Sequence, residues 1–382
     1  MSFKGLTFVG GGRWASIVLS ELLKIAPDLL VDWVCYSKLN EKRNYLRNSQ
    51  FIENVSLVDK KKYNKSNNKK VIISSHSSQH YRDFFAYVDP DTQTLIEKPL
   101  FSSIQGYESI LKEGYKNTFI NLEFYYAYFI REFYQEIKST SFKKIEFIWH
   151  DPLYEKRHME ETKYSEIYSS IFLDQLLHVM SICKAFNLNS ENFKNISINY
   201  ENLSNSDSVN IDFLSDNTYI SVSLSRFSSS RERKIIVNDY EAELNFADKP
   251  NFYKNKEFVR ELPLSDGLFP IGETLKNFLH FPHSIEIFNL SIESLLPFLR
   301  FCFECEEKFS QSLAKEISLL SKDNRSLKKF EPLFAYHAGI IYYQQLLELN
   351  PSCNIHFTRG DEGVSRLKDW WFTFIKSKIY KI

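Results

Sequence analysis

The chain has 382 residues, and lysine plus arginine equal aspartate plus glutamate at 48 each, so bulk charge gives no basis for nucleic-acid binding. That length holds two domains with a sizeable core, and the 33 Phe and 22 Tyr are read as core filling rather than an aromatic binding surface. No apolar run approaches the ~20 residues of a membrane span, the opening strand leaves no room for a cleaved signal, and five scattered cysteines suit a reducing compartment, so a cytoplasmic protein is expected.

Leu6 to Val9 is a short apolar run suited to a strand buried on both faces. Trp14 to Ile25 then carries Ile17, Val18, Leu22, Leu23 and Ile25 at helical spacing. Between them, Gly10, Gly12 and Ala15 fit the G-x-G-x-x-A form of the dinucleotide fingerprint. Gly10 makes the tight turn, Gly12 lets the backbone approach a pyrophosphate, and Ala15 keeps helix and strand close. The helix N-terminus offers bare N–H groups and its positive dipole end to phosphates, which makes Arg13 and Trp14 candidate cofactor contacts as well.

Leu30 to Tyr36 predicts the second strand. Folds specific for NAD place a carboxylate near the end of that strand to accept hydrogen bonds from the ribose. Here Ser37 and Lys38, with Lys42 or Arg43 nearby, suit a 2′-phosphate instead, so NADP(H) is expected over NAD(H), with no metal. Residues 40 to 70 are rich in Lys and Asn and read as a solvated surface. Val71 to Ser74 predicts a third strand, followed by the polar turn Ser75-His76-Ser77-Ser78-Gln79-His80. That turn lies at the carboxyl end of a parallel strand, where open α/β sheets bind ligands, so Ser75, His76 and His80 join the candidate cofactor set. A short helix over 81 to 87 and a fourth strand at Thr94 to Ile96 lead to Glu97-Lys98-Pro99-Leu100, and a helix over Ser103 to Gly114 precedes a strand at Phe119 to Phe124. Strand alternating with helix is the signature of a doubly wound parallel sheet.

From about residue 125 the pattern changes. A helix at Phe129 to Ile137, a strand at Lys144 to His150, a loop and an apolar helix from Tyr168 to Phe186 come first. Strands then follow without intervening helices at Asn195 to Tyr200, Val209 to Leu214, Tyr219 to Ser225, Lys234 to Asn238 and Glu243 to Phe246, which predicts an open, mainly antiparallel sheet. Helices return at Glu273 to Phe281 and Ile292 to Phe309, the latter carrying Cys302 and Cys305 as small buried side chains one turn apart. Leu333 to Leu349 and Glu362 to Ile382 read as helical, and the basic-aromatic end is expected to cover its own domain or a second subunit. The expected organisation is an α/β chain: a Rossmann domain over 1–122, an α+β domain for substrate and oligomer contacts over 123–325, and a helical extension over 326–382.

Four stretches resemble the Gfo/Idh/MocA family, the glucose–fructose oxidoreductase and inositol dehydrogenase group: Val9-Gly10-Gly11-Gly12-Arg13-Trp14-Ala15, the turn ending in His80, Glu97-Lys98-Pro99-Leu100, and Asp174-x-x-x-His178. The similarity spans roughly residues 5 to 310, and Glu97-Lys98-Pro99 is its most specific part. The resemblance implies a nicotinamide cofactor contacted also by Glu97, a small-molecule sugar-like substrate, and a homo-oligomer, dimer or tetramer. It further implies catalysis by Lys98, with Asp174 and His178 beside it across a cleft. Residue chemistry agrees: moving a hydride on or off a C–OH carbon requires a proton to move on the oxygen and a cation beside the developing alkoxide. Two departures bear on the substrate. Ser75-His76 stands where the family often has Thr-Pro, and Tyr168-Ser169-Ser170 stands where it has small glycines, so a bulky Tyr168 near the nicotinamide would reshape the pocket. The competing readings are a C=N reductase of the siderophore type and a dinucleotide-binding scaffold or sensor without turnover.

Overall fold

The computed structural model describes residues 5–36, 39–47, 52–63, 68–152, 154–157, 161–164, 169–200, 208–244, 250–262, 270–281 and 285–320. They group into two compact units, one from Met1–Tyr128 with Leu264–Leu296 and the other from Phe129–Pro263 with Pro297 onward. Ser37, Lys38, Tyr168 and everything expected beyond residue 320 lie outside the described residues.

The first unit opens with β1 (Leu6–Val9), α1 (Arg13–Ile25), β2 (Val31–Cys35), α2 (Leu39–Arg47) and β3 (Val55–Asp59). It continues with β4 (Lys70–Ile73), α3 (His80–Tyr87), β5 (Gln93–Glu97), α4 (Ile104–Lys112), β6 (Thr118–Asn121) and the short α5 (Glu123–Tyr126). All six strands are parallel in the order β3-β2-β1-β4-β5-β6. Every residue of β1, β4 and β6 is buried, as expected of strands covered on both faces. The strand order reverses between β1 and β4, so the crevice outside their carboxyl ends is the topological switch point.

Residues 40 to 70 are more than a solvated surface, for they contain α2 and the edge strand β3. Only Val55 of β3 is buried, and Lys60 to Lys62 follow the strand directly, so the alternation that marks a strand is too diluted to read. The strand expected at Phe119 to Phe124 ends at Asn121, where α5 begins.

The second unit is built from α6 (Tyr128–Ile137), β7 (Lys144–Pro152), the hairpin β8 (Tyr154–Arg157) and β9 (Glu161–Tyr164), and a helix that opens as a π-helical turn at Phe172–Leu176 and continues as α7 (Leu177–Ala185). It is followed by β10 (Phe193–Tyr200), β11 (Ser208–Ser215), β12 (Thr218–Ser228), β13 (Glu232–Val237), β14 (Tyr240–Glu243), β15 (Asn251–Lys254) and β16 (Glu257–Glu261). Eight of these strands form one sheet in the order β10-β11-β12-β7-β13-β14-β15-β16. Every pairing is antiparallel except β12 with β7. Along β7 the residues Ile145, Phe147 and Trp149 are buried while Glu146, Ile148 and His150 are half-exposed, so one face is core and the other open. The hairpin β8–β9 replaces an expected loop, and β14 lies three residues before the strand expected at Glu243 to Phe246. The strands β15 and β16 were not foreseen, since neither shows a clean apolar alternation.

Two further helices follow, α8 (Ile271–His280) and α9 (Ile292–Leu320). Helix α8 belongs to the first unit, where Lys70 of β4 holds its carboxyl end. The Lys70 ammonium donates to the carbonyls of Leu279 (2.6 Å), Phe278 (3.2 Å) and Phe281 (3.2 Å). A cation among the unpaired carbonyls at a helix terminus satisfies them and opposes the dipole. Helix α9 runs past the expected Phe309, and Cys302 and Cys305 are fully buried in it. No helix among the described residues is long and apolar enough to cross a membrane.

Candidate active site

Gly10 leaves β1 with φ +140°, a conformation open to glycine. A Cβ there would lie 2.4 Å from the Ser74 carbonyl oxygen at the end of β4, so the two strand ends meet at a contact that only glycine permits. The turn is fixed on all sides. Gly10 N–H donates to Val34 O (3.0 Å), its carbonyl accepts from the buried Trp33 Nε1 (2.6 Å), and Ser74 N–H donates to Val9 O (2.8 Å).

Gly12 is different. Its backbone is ordinary, φ −73° and ψ 175°, and a Cβ would meet nothing within 4 Å. It sits at the N-cap of α1 with no side chain capping the helix and no acidic residue in the first turn. An uncapped helix N-terminus facing open space at a switch point fits an anionic diphosphate. The buried Ser74 Oγ, which has no hydrogen-bond partner among the described residues, adds a polar group at the same crevice. The residues present therefore fit a dinucleotide.

Around this turn several of the candidate side chains act as supports. Trp14 Nε1 donates to Glu97 Oε1 (2.6 Å), which also accepts from Asn121 Nδ2. Glu97 thereby ties the start of α1, the end of β5 and the end of β6 together. Removal from water pushes its carboxyl up, and the two donors oppose that shift. His80 is buried, with Nδ1 2.8 Å from Pro99 O and Nε2 3.0 Å from Ser75 O. It clasps the turn after β4 to the loop after β5. Burial lowers its pKa, opposed by those carbonyls and by the carboxyls of Glu97 and Asp83. His76 and Ser75 are half-buried in the turn before α3. Lys98 is half-buried at the carboxyl end of the sheet, and the Lys98–Pro99 peptide is cis.

At the end of β2 stands Tyr36 rather than a carboxylate. Its hydroxyl donates to the buried Asp83, and the Lys60 ammonium lies 3.7 Å from its ring centroid while pairing with Asp83 at 2.7 Å. Lys42 of α2 donates to Ser16 Oγ (2.8 Å), which brings its ammonium against the opening turns of α1.

In the second unit, Asp174 lies in the π-helical turn and His178 four residues on, in α7. The His178 ring stacks on Trp149, with centroids 5.4 Å apart and planes 19° apart. The Arg233 guanidinium covers the Trp149 ring at 4.4 Å and donates to both Asp151 oxygens at 2.8 Å. Asp174 Oδ2 accepts from Arg226 Nη2 at 3.1 Å.

No family model and no curated protein matches the sequence. Solved structures do match. A dehydrogenase from Chromobacterium violaceum superposes with TM-score 0.63 at 16% identity over 84% of this chain and 99% of that one. UDP-N-acetylglucosamine 3-dehydrogenase from Acidithiobacillus ferrooxidans gives 0.57 at 12% over 80% and 97%, and a Gfo/Idh/MocA family oxidoreductase from Vibrio cholerae gives 0.55 at 11% over 80% and 98%. The chain has the Gfo/Idh/MocA fold.

Against that fold, Arg226, Asn121 and Trp149 are the residues that sequence reasoning passed over. Arg226 left a trace. It follows Ile220, Val222 and Leu224 at the same inward register of β12, where a charge has no place without a buried partner. Among the described residues no group of three or more His, Cys, Asp or Glu could hold a metal ion.

Proposed function

We propose that the chain is a nicotinamide-dependent oxidoreductase acting on a C–OH/C=O carbon of a sugar-like or nucleotide-sugar substrate, with NADP(H) preferred over NAD(H). The observation that carries this reading is the uncapped α1 terminus behind Gly12, open on its outer side and locked on its inner side by Gly10 against Ser74. The solved structures sharing the fold include dehydrogenases, one of them for UDP-N-acetylglucosamine, which favours a sugar substrate.

When bound, the dinucleotide supplies or accepts the hydride. Lys98 is the group proposed to act on the substrate oxygen: in the reducing direction its ammonium gives the proton as the carbonyl becomes an alcohol, and in the oxidising direction the amine takes it back. His178 is proposed to exchange that proton with solvent, and Asp174 to orient substrate hydroxyls. The absence of a carboxylate after β2, with Lys42 against the start of α1, supports the 2′-phosphate preference, and a homo-oligomer accompanies the reading.

Fluorescence titration with NADH and NADPH tests it directly, followed by turnover assays on sugars and nucleotide-sugars. Lys98→Met should keep dinucleotide affinity within about twofold while removing turnover by ~10³-fold or more. Failure of both dinucleotides to bind would end the proposal.

A further inference from the structure

Asp174 and His178 both present acid–base groups on one helix, and the structure distinguishes their roles through a third residue. Arg226, at the carboxyl end of β12, has only 1% of its side chain exposed and carries a guanidinium with three acceptors around it. Nη1 donates to Ser169 O (2.7 Å), and Nη2 donates to Ser170 O (2.8 Å) and to Asp174 Oδ2 (3.1 Å). Ser170 is engaged twice more: its Oγ accepts from Leu173 N–H (3.2 Å), and its carbonyl accepts from Asp174 N–H (2.9 Å). One buried cation thus gathers the two residues before the helix and the carboxylate one turn inside it.

The turn it gathers is Phe172–Leu176, which is π-helical. Wide turns of that kind are rarely stable alone and occur mostly where a function keeps them. A planar guanidinium suits this role, because its fixed fork reaches several oxygens at once where a lysine offers one point charge. The Asp174 carboxylate is thus paired with a buried guanidinium at 3.1 Å. His178 follows on the same face, four residues along, with its ring set by Trp149.

We propose that Arg226 is the positioning residue of the proton-handling pair. It clamps Ser169, Ser170 and Asp174, holds the π-helical turn, and pairs the Asp174 charge, and through that carboxylate it sets the proton affinity of His178. This rests on the oxidoreductase reading for its purpose. The clamp itself is testable without it.

The experiment is a titration of histidine ring signals by NMR in the full chain, with His178 assigned by its loss in His178→Gln. Arg226→Met takes this cation away from the Asp174 carboxylate, so the His178 midpoint should rise by about one pH unit. Arg226→Lys keeps the cation and should restore at least half of that shift. Asp174→Asn is the mirror variant: it removes this carboxylate from the guanidinium, and the midpoint should fall. If Arg226→Met does not fold, Arg226→Lys and Asp174→Asn still decide the matter. A His178 midpoint that stays within about 0.2 unit of the parent in every folded variant overturns the clamp. The measurement uses neither dinucleotide nor substrate, so that outcome is separate from failure of the oxidoreductase reading, which the dinucleotide titration reports.

Discussion

Two glycines two positions apart in one turn are expected to fail in opposite ways. At Gly12 the backbone is extended, with φ −73°, and an added Cβ meets no atom within 4 Å, so Gly12→Ala fits the folded protein as it stands. Alanine restricts the unfolded chain and stabilises by ~0.4–1 kcal/mol, while it is a poorer N-cap than glycine by a similar amount. The two effects nearly cancel, and Tm should stay within about 2 °C of the parent. The same Cβ would occupy the space in front of the bare N–H groups of α1. Losing one charge-assisted hydrogen bond to a phosphate costs about 1.5–3 kcal/mol, or roughly ten- to 150-fold in dinucleotide affinity.

Gly10→Ala is the control. Its Cβ would lie 2.4 Å from Ser74 O and 2.9 Å from Ser75 N, which are backbone atoms and cannot swing aside. The positive φ adds ~1–2 kcal/mol and the overlap ~1–3 kcal/mol, so a loss of about 3 kcal/mol and a large fall in Tm are expected. Thermal melts with dinucleotide fluorescence titrations of both variants separate the effects. Gly12→Ala with parent-like NADPH affinity would refute the placement of the diphosphate. Gly12→Ala as unstable as Gly10→Ala would refute the reading of open space.

Lys42→Asp should weaken NADPH about tenfold or more relative to NADH, measured by paired titrations, and an unchanged ratio would remove Lys42 from the 2′-phosphate site. Lys70 gives a pH signature. Burial lowers its pKa to about 8, which leaves it charged at neutral pH among the α8 carbonyls. Between about 8 and its ordinary value near 10.5 the unfolded chain holds a proton that the folded chain has released, so this residue makes stability rise with pH across that window. Denaturant melts of the parent and Lys70→Met from pH 7 to 10.5 should show the rise in the parent alone, and equal slopes would refute it.

How much of this was legible in the sequence depended on how each element is buried. Strands covered on both faces, such as β1 and β4, are continuous apolar runs and read directly, and the glycines between β1 and α1 give their geometry by spacing. The edge strand β3 buries little and hides among lysines, so without it the sheet reads one strand short. Strands β15 and β16 fail for a related reason. The sequence of β16, Glu-Phe-Val-Arg-Glu, sits at the sheet edge with Phe258 and Val259 exposed, so its pattern reflects no core. The π-helical turn is invisible to a helical-spacing argument, because Phe172, Leu173, Leu176 and Leu177 are all buried there and a nearly continuous apolar run shows no phase that a wider turn could shift.

The site was legible as residue types and not as roles. Glu97 looks like a ligand contact in the string Glu97-Lys98-Pro99, yet its carboxylate is committed to Trp14 and Asn121, so it holds three loop ends in place. His80 reads as a cofactor contact in the turn after β4, and both its ring nitrogens are spent on the carbonyls of Pro99 and Ser75. Asp174 and His178 read as a helix-face pair with nothing to show what holds the aspartate, until Arg226, more than fifty positions further along the chain, is seen on it. In each case the partner that decides the role is distant in sequence and close in space. Lys98 is the exception. Its neighbours along the chain are tied down on both sides, Glu97 by Trp14 and Pro99 by His80, so its backbone is held from either end. A group meant to deliver a proton to a fixed atom needs that kind of support, because a misplacement of about 1 Å can cost ~10²-fold in rate. Loosening the support by Glu97→Gln or His80→Ala should therefore lower turnover more than dinucleotide affinity if Lys98 has the role assigned to it.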